Sequence, residues 1–253
     1  MTKQPRFYSG TSNLVLPIKQ SEYPPEAKGA SRLTYYASLH TSVEINSTFY
    51  KLPKPSTVKG WSESVPSHFR FTFKVPKAVT HAKGLQLSVD DLEVFAETIA
   101  QASDKKGCLL VQLPPSVKQD KQEELEGILE CLRSDAKDWP IAVEFRDPSW
   151  YNSAVYRVLQ SFGAGMVLQD LPKSATPQVT TAEDFVYLRF HGPEGGYRGS
   201  YDDTFLTRQA KRIAAWVKEE REVYAYFNNT LGDAWGNLNT LNRMVQQELA
   251  EKR

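Results

Sequence analysis

The stretch VEINSTFYKLP, Val43 to Pro53, decides how the rest of the chain is read. Val43 and Ile45 alternate with Glu44 as a strand does, and Asn46, Ser47 and Thr48 then stop it with an amide and two hydroxyls. The strand therefore places hydrogen-bonding side chains at its C-terminal end. The same punctuation recurs on both sides of it. FYSG (Phe7–Gly10) runs into Thr11, and FRFTFKV (Phe69–Val75) ends at Lys74. GCLLVQLPP (Gly107–Pro115) is apolar except for Gln112, and IAVEF (Ile141–Phe145) carries Glu144 and meets Arg146. GMVLQD (Gly165–Asp170) ends at Asp170, FVYLRFHG (Phe185–Gly192) carries Arg189 and His191, and VYAYFNN (Val223–Asn229) ends at Asn228 and Asn229.

Helical periods fill the gaps between these strands. Ser31 is placed to cap a helix with Leu33, Tyr36 and Ala37 on one face, and Pro55 opens one carrying Val58 and Trp61. Leu92, Phe95, Ala96 and Ile99 stand at i, i+3, i+4 and i+7, and similar stripes follow around Leu125, Val155, Leu206 and Leu238. Two gaps differ. Leu14 to Gly29 holds Pro17, Pro24 and Pro25 and reads as a long first βα loop, while Leu171 to Asp184 has no helical period, so one crossover helix is shortened or missing. Eight strands alternating with helices, without a tight hairpin, predict parallel strands in an α/β fold: a single (β/α)8 TIM-like barrel domain spanning 1–253. An open doubly wound sheet is the alternative.

Composition bounds the function. The 253 residues carry a formal net charge of +1, which supplies no global field for a polyanion, so nucleic acid is not favoured as a partner, although a local basic cleft is compatible with it. Cys108 and Cys131 have neither metal-ligand spacing nor the density of a disulfide scaffold and are read as reduced and buried. The start, MTKQPRFYSG, lacks the apolar core of a signal peptide, and no run approaches the ~18 apolar residues of a membrane helix. The expected location is cytoplasmic, with no membrane partner.

In a barrel, the C-terminal strand ends form one rim where active sites are built. Those ends contribute Thr11, Glu44, Asn46, Lys74, Gln112, Glu144, Arg146, Asp170, Arg189, His191 and Asn228. Three chemistries fit. Glu44 and Glu144 could act as general acid and base, with His191 assisting. Glu44, Glu144, Asp170 and His191 could hold a divalent metal. Lys74, Arg146 and Arg189 could clamp a phosphate or carboxylate. The plain rival is a network of buried ion pairs that only fixes the fold, and a lone histidine such as His191 is more often structural than catalytic. Tyr50, Trp150, Tyr197, Tyr201, Phe227 and Trp235 are placed to stack on a sugar or base.

GTS at Gly10–Ser12, VEINSTFYKLP, TFK with Thr80 and His81, LLVQLPPS, AVEFRDPSW, VYLRFHGP with YRGSY, and AYFNN together resemble the DUF72, or YecE-like, family. The resemblance implies a TIM-barrel-like fold of unassigned function. It also implies site positions at Glu44, Asn46, Thr48, Lys74, His81, Gln112, Glu144, Arg146, Trp150, Arg189, His191 and Asn228. One motif departs, because Asn13 and Leu14 follow GTS where many members have Gly and Trp, and Tyr23 is a candidate replacement for that aromatic.

The expected function is an enzyme acting on a small phosphorylated, anionic or sugar-like ligand by hydrolysis or isomerisation. Glu44, Glu144 and His191 are its catalytic candidates. Thr11, Asn46, Lys74, His81, Gln112, Arg146, Trp150, Arg189 and Asn228 are its ligand contacts. A nuclease-like barrel and a non-catalytic binding protein are the alternatives.

Overall fold

A computed structural model of the protein describes residues 6–251. The chain order is β1 (Phe7–Thr11), α1 (Arg32–Leu39), β2 (Ser42–Ile45), α2 (Pro55–Glu63), β3 (Arg70–Lys74), the single turn α3 (Lys77–Thr80) and α4 (Val89–Ala100). It continues with β4 (Lys106–Gln112), α5 (Gln122–Asp135), β5 (Ile141–Glu144), α6 (Ser153–Ser161), β6 (Gly165–Met166) and β7 (Leu168–Gln169). β8 (Phe185–Phe190), α7 (Asp203–Lys218), β9 (Glu222–Phe227) and α8 (Ala234–Ala250) complete it. The predicted cap at Ser31 forms, and Asp202 supplies one that the sequence reading did not name. Ser31 accepts from the Thr34 amide at the start of α1, and Asp202 accepts from the Phe205 amide at the start of α7.

The strands make two parallel sheets, ordered β1-β9-β8-β7 and β2-β3-β4-β5-β6. The sequence predicts one closed barrel of eight strands; the structure instead has these two sheets, which adjoin in two places. A parallel bridge joins Ser12 to Glu44, with the Asn13 amide donating to the Glu44 carbonyl at 2.7 Å. At the opposite side, the predicted strand Gly165–Asp170 is split at Val167. Its first half pairs with β5 and its second with β8. The split has a cause in the helix-free segment that follows, where Thr181 Oγ1 takes the Met166 amide at 2.7 Å and Thr176 Oγ1 takes the Gln169 amide at 3.2 Å. Side-chain hydroxyls there replace part of the strand ladder. Among the described residues, Leu171 to Asp184 contains no helix, and the long first loop holds only two 3-10 turns, Gln20–Glu22 and Pro25–Ala27.

The alternation in Phe69–Val75 separates two buried faces rather than core from solvent. Phe69, Phe71, Phe73 and Val75 pack outward against the helices with Leu92, Phe95 and Ile99. Arg70 and Thr72 turn to the other face and are also buried. That inner face is filled by Tyr8, Cys108, Leu110, Tyr187, Tyr224 and Tyr226. Its tyrosine hydroxyls need partners: Tyr226 meets Ser42 Oγ at 2.6 Å and Thr72 Oγ1 at 2.7 Å. Gly10 stands where β1 and β2 come close, and a Cβ there would lie 2.0 Å from the Ser42 carbonyl oxygen, so no larger residue fits. Both cysteines are free thiols; Cys108 is buried, whereas Cys131 is only partly so. No helix among the described residues is long and apolar enough to cross a membrane.

Candidate functional site

Parallel register sets Gln112 beside Glu144 and Gln169 beside Arg189, so side chains from strand ends far apart in sequence meet at one level. Arg189 is the centre of that level and is 2% exposed. Its Nε and Nη2 donate to Glu44 at 2.9 and 2.7 Å, and its Nη1 donates to Glu144 Oε2 at 2.8 Å. Glu44 also accepts from Ser12 Oγ at 2.6 Å, from Asn46 Nδ2 at 3.0 Å and from the Tyr187 hydroxyl. The remaining oxygen of Glu144 is held by Arg146. Both carboxylates are fully buried.

Burial alone would raise both carboxyls. The Arg189 guanidinium nevertheless holds Glu44 below the usual carboxylate range, and Arg146 with Arg189 does the same for Glu144. Both are therefore ionised at neutral pH. His191 lies behind the guanidiniums, with Nε2 at 3.2 Å from Arg146 Nη2 and 3.3 Å from Arg189 Nη1. Guanidinium nitrogens only donate, so Nε2 is the acceptor and the ring proton sits on Nδ1, 3.5 Å from Asp170 Oδ1. Burial lowers the His191 pKa and keeps the ring neutral.

In front of this layer lies a cavity of about 270 Å³ lined by Asn13, Asn46, Tyr50, Lys74, Gln112, Arg146, Arg189, Tyr197 and Asn228. The cations face it and the acids stand behind them. Among the described residues, no carboxylate lines this cavity. Lys74 Nζ donates to Gln112 Oε1 at 2.8 Å and sits 4.0 Å above the Phe49 ring. Burial is the main reason its pKa falls to about 8, with Arg189 adding to the effect. The Asn46 Oδ1 atom is buried without a hydrogen-bond partner among the described residues. A larger cavity of about 430 Å³ lies beside Phe205, Arg208 and Arg212, next to the helix-free segment, and Asp170 and Arg189 also contribute to its lining.

The structure brings together Glu44, Asn46, Lys74, Gln112, Glu144, Arg146, Arg189, His191 and Asn228. It leaves others apart. Thr11 turns toward α1, where its Oγ1 meets the Tyr36 hydroxyl at 3.0 Å and the Asn13 carbonyl at 2.6 Å. Thr48 donates to backbone carbonyls of Ile45 and Lys74 and ties the loop to β3. His81 packs on Phe49 at 4.8 Å without lining the cavity, and burial, with Lys74 next, lowers its pKa to about 4. Trp150, expected as a ligand contact, is wholly buried: it stacks on Phe145 at 4.7 Å and donates to the Val117 carbonyl at 2.9 Å. Its indole needs a partner once buried, and a backbone carbonyl under the rim supplies it. Trp150→Phe should therefore lower unfolding free energy by about 1 kcal/mol. Urea unfolding reads the loss, and the cavity, whose lining does not include Trp150, should keep its shape.

The metal set is not assembled. Glu44 and Glu144 spend their oxygens on guanidiniums, two hydroxyls and an amide, and Asp170 accepts from Tyr201 and from the His191 amide. Among the described residues no three His, Cys, Asp or Glu side chains form a group able to hold a metal ion. Of the rim aromatics, Tyr50 and Tyr197 reach the cavity, whereas Tyr201 and Phe227 are core and Trp235 packs on His40. Tyr23 packs against Tyr35 with ring centroids 4.1 Å apart and takes no part. Asn13 was visible in the sequence only as a motif departure. Its left-handed φ of 60° turns it into the cavity wall, where its Oδ1 accepts from the Asn46 amide at 3.2 Å.

A family model described as protein of unknown function DUF72 matches residues 10–253. The UPF0759 protein YunF of Bacillus subtilis is 26% identical over 243 residues, covering 84% of this chain and 85% of its own. The UPF0759 protein YecE of Escherichia coli is 29% identical over 147 residues, covering 56% of this chain and 53% of its own. Among solved structures, a DUF72 family protein from Thermotoga maritima superposes with a TM-score of 0.78 at 27% identity, covering 95% of this chain and 99% of that one. SacUVDE shares the fold alone, with a TM-score of 0.54 at 11% identity over 95% of this chain and 98% of that one.

Proposed function

Because the chain belongs to the DUF72 family, whose description assigns no reaction, we propose its function from the pocket: it is an enzyme acting on a small anionic ligand, phosphorylated or carboxylated, at the C-terminal rim of what acts as one TIM-like ring of eight strands. One observation carries this reading. Lys74, Arg146 and Arg189 line a cavity of about 270 Å³ that holds amides and phenols but, among the described residues, no carboxylate. Two of the three positive charges are balanced by Glu44 and Glu144 behind them, and the third has no counterion in the layer among the described residues. A phosphate or carboxylate completes it.

The two carboxylates are then positioning groups. Each is ionised with both oxygens engaged, so neither has a proton to give, and the two-carboxylate hydrolytic scheme loses its acid. The group that changes protonation near neutral pH is Lys74 in the cavity, while burial holds His191 behind it neutral, which favours proton-transfer isomerisation over hydrolysis. The metal-assisted route has no free ligand set.

The test is a thermal-shift titration with inorganic phosphate, in which binding to the native state alone raises the melting temperature with the logarithm of concentration. Arg146→Ala should weaken phosphate binding roughly tenfold or more, since a charge-assisted hydrogen bond is worth about 1.5–3 kcal/mol. Absence of any shift in the native protein would sink the reading. A shift given only by a short oligonucleotide, collapsing steeply with salt, would move the assignment to the nuclease-like alternative.

A further inference from the structure

Lys74 differs from the two arginines beside it. Arg146 and Arg189 both grip carboxylate oxygens, whereas Lys74 Nζ has no carboxylate partner among the described residues and rests between the Gln112 amide and the Phe49 ring. An arginine in that place would stay charged at any accessible pH, but a lysine can relieve the surplus charge by releasing its proton. Gln112 is fixed in the orientation this needs. Its Nε2 donates to the Leu113 carbonyl at 2.9 Å, so its Oε1 must be the atom facing Nζ. It takes one N–H of the amine, with the rest of the nitrogen left toward the cavity that Lys74 lines.

We propose that Lys74 is the nucleophile of this pocket and forms a Schiff base with the carbonyl carbon of a small oxo compound that also bears a carboxylate or phosphate. The assignment rests on the anionic-pocket reading above and narrows its substrate class. The neutral amine attacks the carbonyl carbon, forming a C–N bond as the C=O π pair moves onto oxygen. A proton passes from nitrogen to that oxygen, giving a carbinolamine. Uptake of one further proton and loss of water break the C–O bond and leave the iminium, so that amine, carbonyl and one proton become iminium and water, with no change of oxidation state. The guanidiniums of Arg146 and Arg189 face the anionic group, which sets the carbonyl against Lys74. The iminium restores a positive charge at Nζ once the ligand's own negative charge is present to balance it.

The experiment is reductive trapping of the native protein near neutral pH with sodium cyanoborohydride and pyruvate, dihydroxyacetone phosphate or acetone, followed by peptide mass mapping. With a pKa of about 8, Lys74 has roughly a hundredfold more free amine at that pH than an ordinary lysine. Its reduced adduct should therefore exceed those of the exposed Lys51 and Lys54 by about tenfold or more. Inorganic phosphate should suppress it, acetone should fail to form it, and Lys74→Arg should abolish it. Which oxo anion labels faster separates a carboxylate from a phosphate substrate. Even labelling of surface lysines with Lys74 untouched, in a protein whose melting temperature phosphate still raises, would overturn the nucleophile and leave the anionic pocket standing. Equal trapping by acetone would overturn the substrate class. No thermal shift and no Lys74 adduct would remove both.

Discussion

Arg189→Met should lower unfolding free energy by about 3–5 kcal/mol at pH 7, the range expected when one partner of a buried ionic cluster is removed. Domains of this kind are stable by about 5–15 kcal/mol in total, so the variant should stand near the edge of folding. The size follows from what is left behind. Glu44 and Glu144 are fully buried, and each takes a charged hydrogen bond from the same guanidinium. Glu144 keeps Arg146, but Glu44 is left with a hydroxyl, a phenol and an amide, none of which carries charge. Urea unfolding measures the loss. The deficit should shrink as pH falls, because the stranded carboxyl in the variant protonates early while wild-type Glu44 and Glu144 still hold depressed pKa values. A loss below about 1 kcal/mol at pH 7 would mean that water, rather than Arg189, satisfies these acids.

A second large effect lies outside the pocket. His40 is buried against Tyr36 and Trp235, at ring distances of 4.9 and 4.7 Å, and neither of its nitrogens has a hydrogen-bond partner among the described residues. Burial pushes its pKa down to about 4. In the unfolded chain the ring protonates near pH 6.5, so between there and about pH 4 the unfolded state binds the extra proton and stability falls as pH falls. The loss, a shift of two to three pH units, is about 3 kcal/mol and levels off below the folded pKa. Glu44 and Glu144 act in a lower window. Their folded pKa values are depressed, so their contribution is full above about pH 4.5 and declines only below it. His40→Phe should make the stability profile shallower between pH 7 and pH 4.5, with the lowered pKa values of His81 and His191 supplying the slope that remains, and leave the acid limb intact. It should also keep or raise stability at pH 7, since it removes two buried unpaired nitrogens. A slope in the variant as steep as in the native protein would assign the effect elsewhere.

The helices and most strands were legible because each carries its own period. Val89–Ala100 and Asp203–Lys218 show their buried stripes in the sequence, and the apolar run at Lys106–Gln112 marks a strand covered on both faces. The split at Val167 was not legible. It depends on Thr176 and Thr181 folding back to take backbone amides, a contact that no local pattern encodes. Among site residues, polar types at strand ends pointed to Glu44, Lys74, Gln112, Glu144 and Arg189, since a polar residue breaking an apolar run needs a partner somewhere. Trp150 looked the same by position and proved to be core, because an aromatic carries no sign of which side of a loop it covers.

By itself, then, the sequence determined that parallel strands would gather carboxylates, guanidiniums and a lysine at one end of the sheets. That follows from side-chain alternation and strand termination, which are local. Which charges meet was decided only by the tertiary structure. Register and curvature put Arg189 between Glu44 and Glu144, set both acids behind the cations, and left Lys74 unbalanced at the cavity. Electrostatic pairing depends on a few ångströms between residues more than a hundred positions apart, and no spacing along a chain carries that distance.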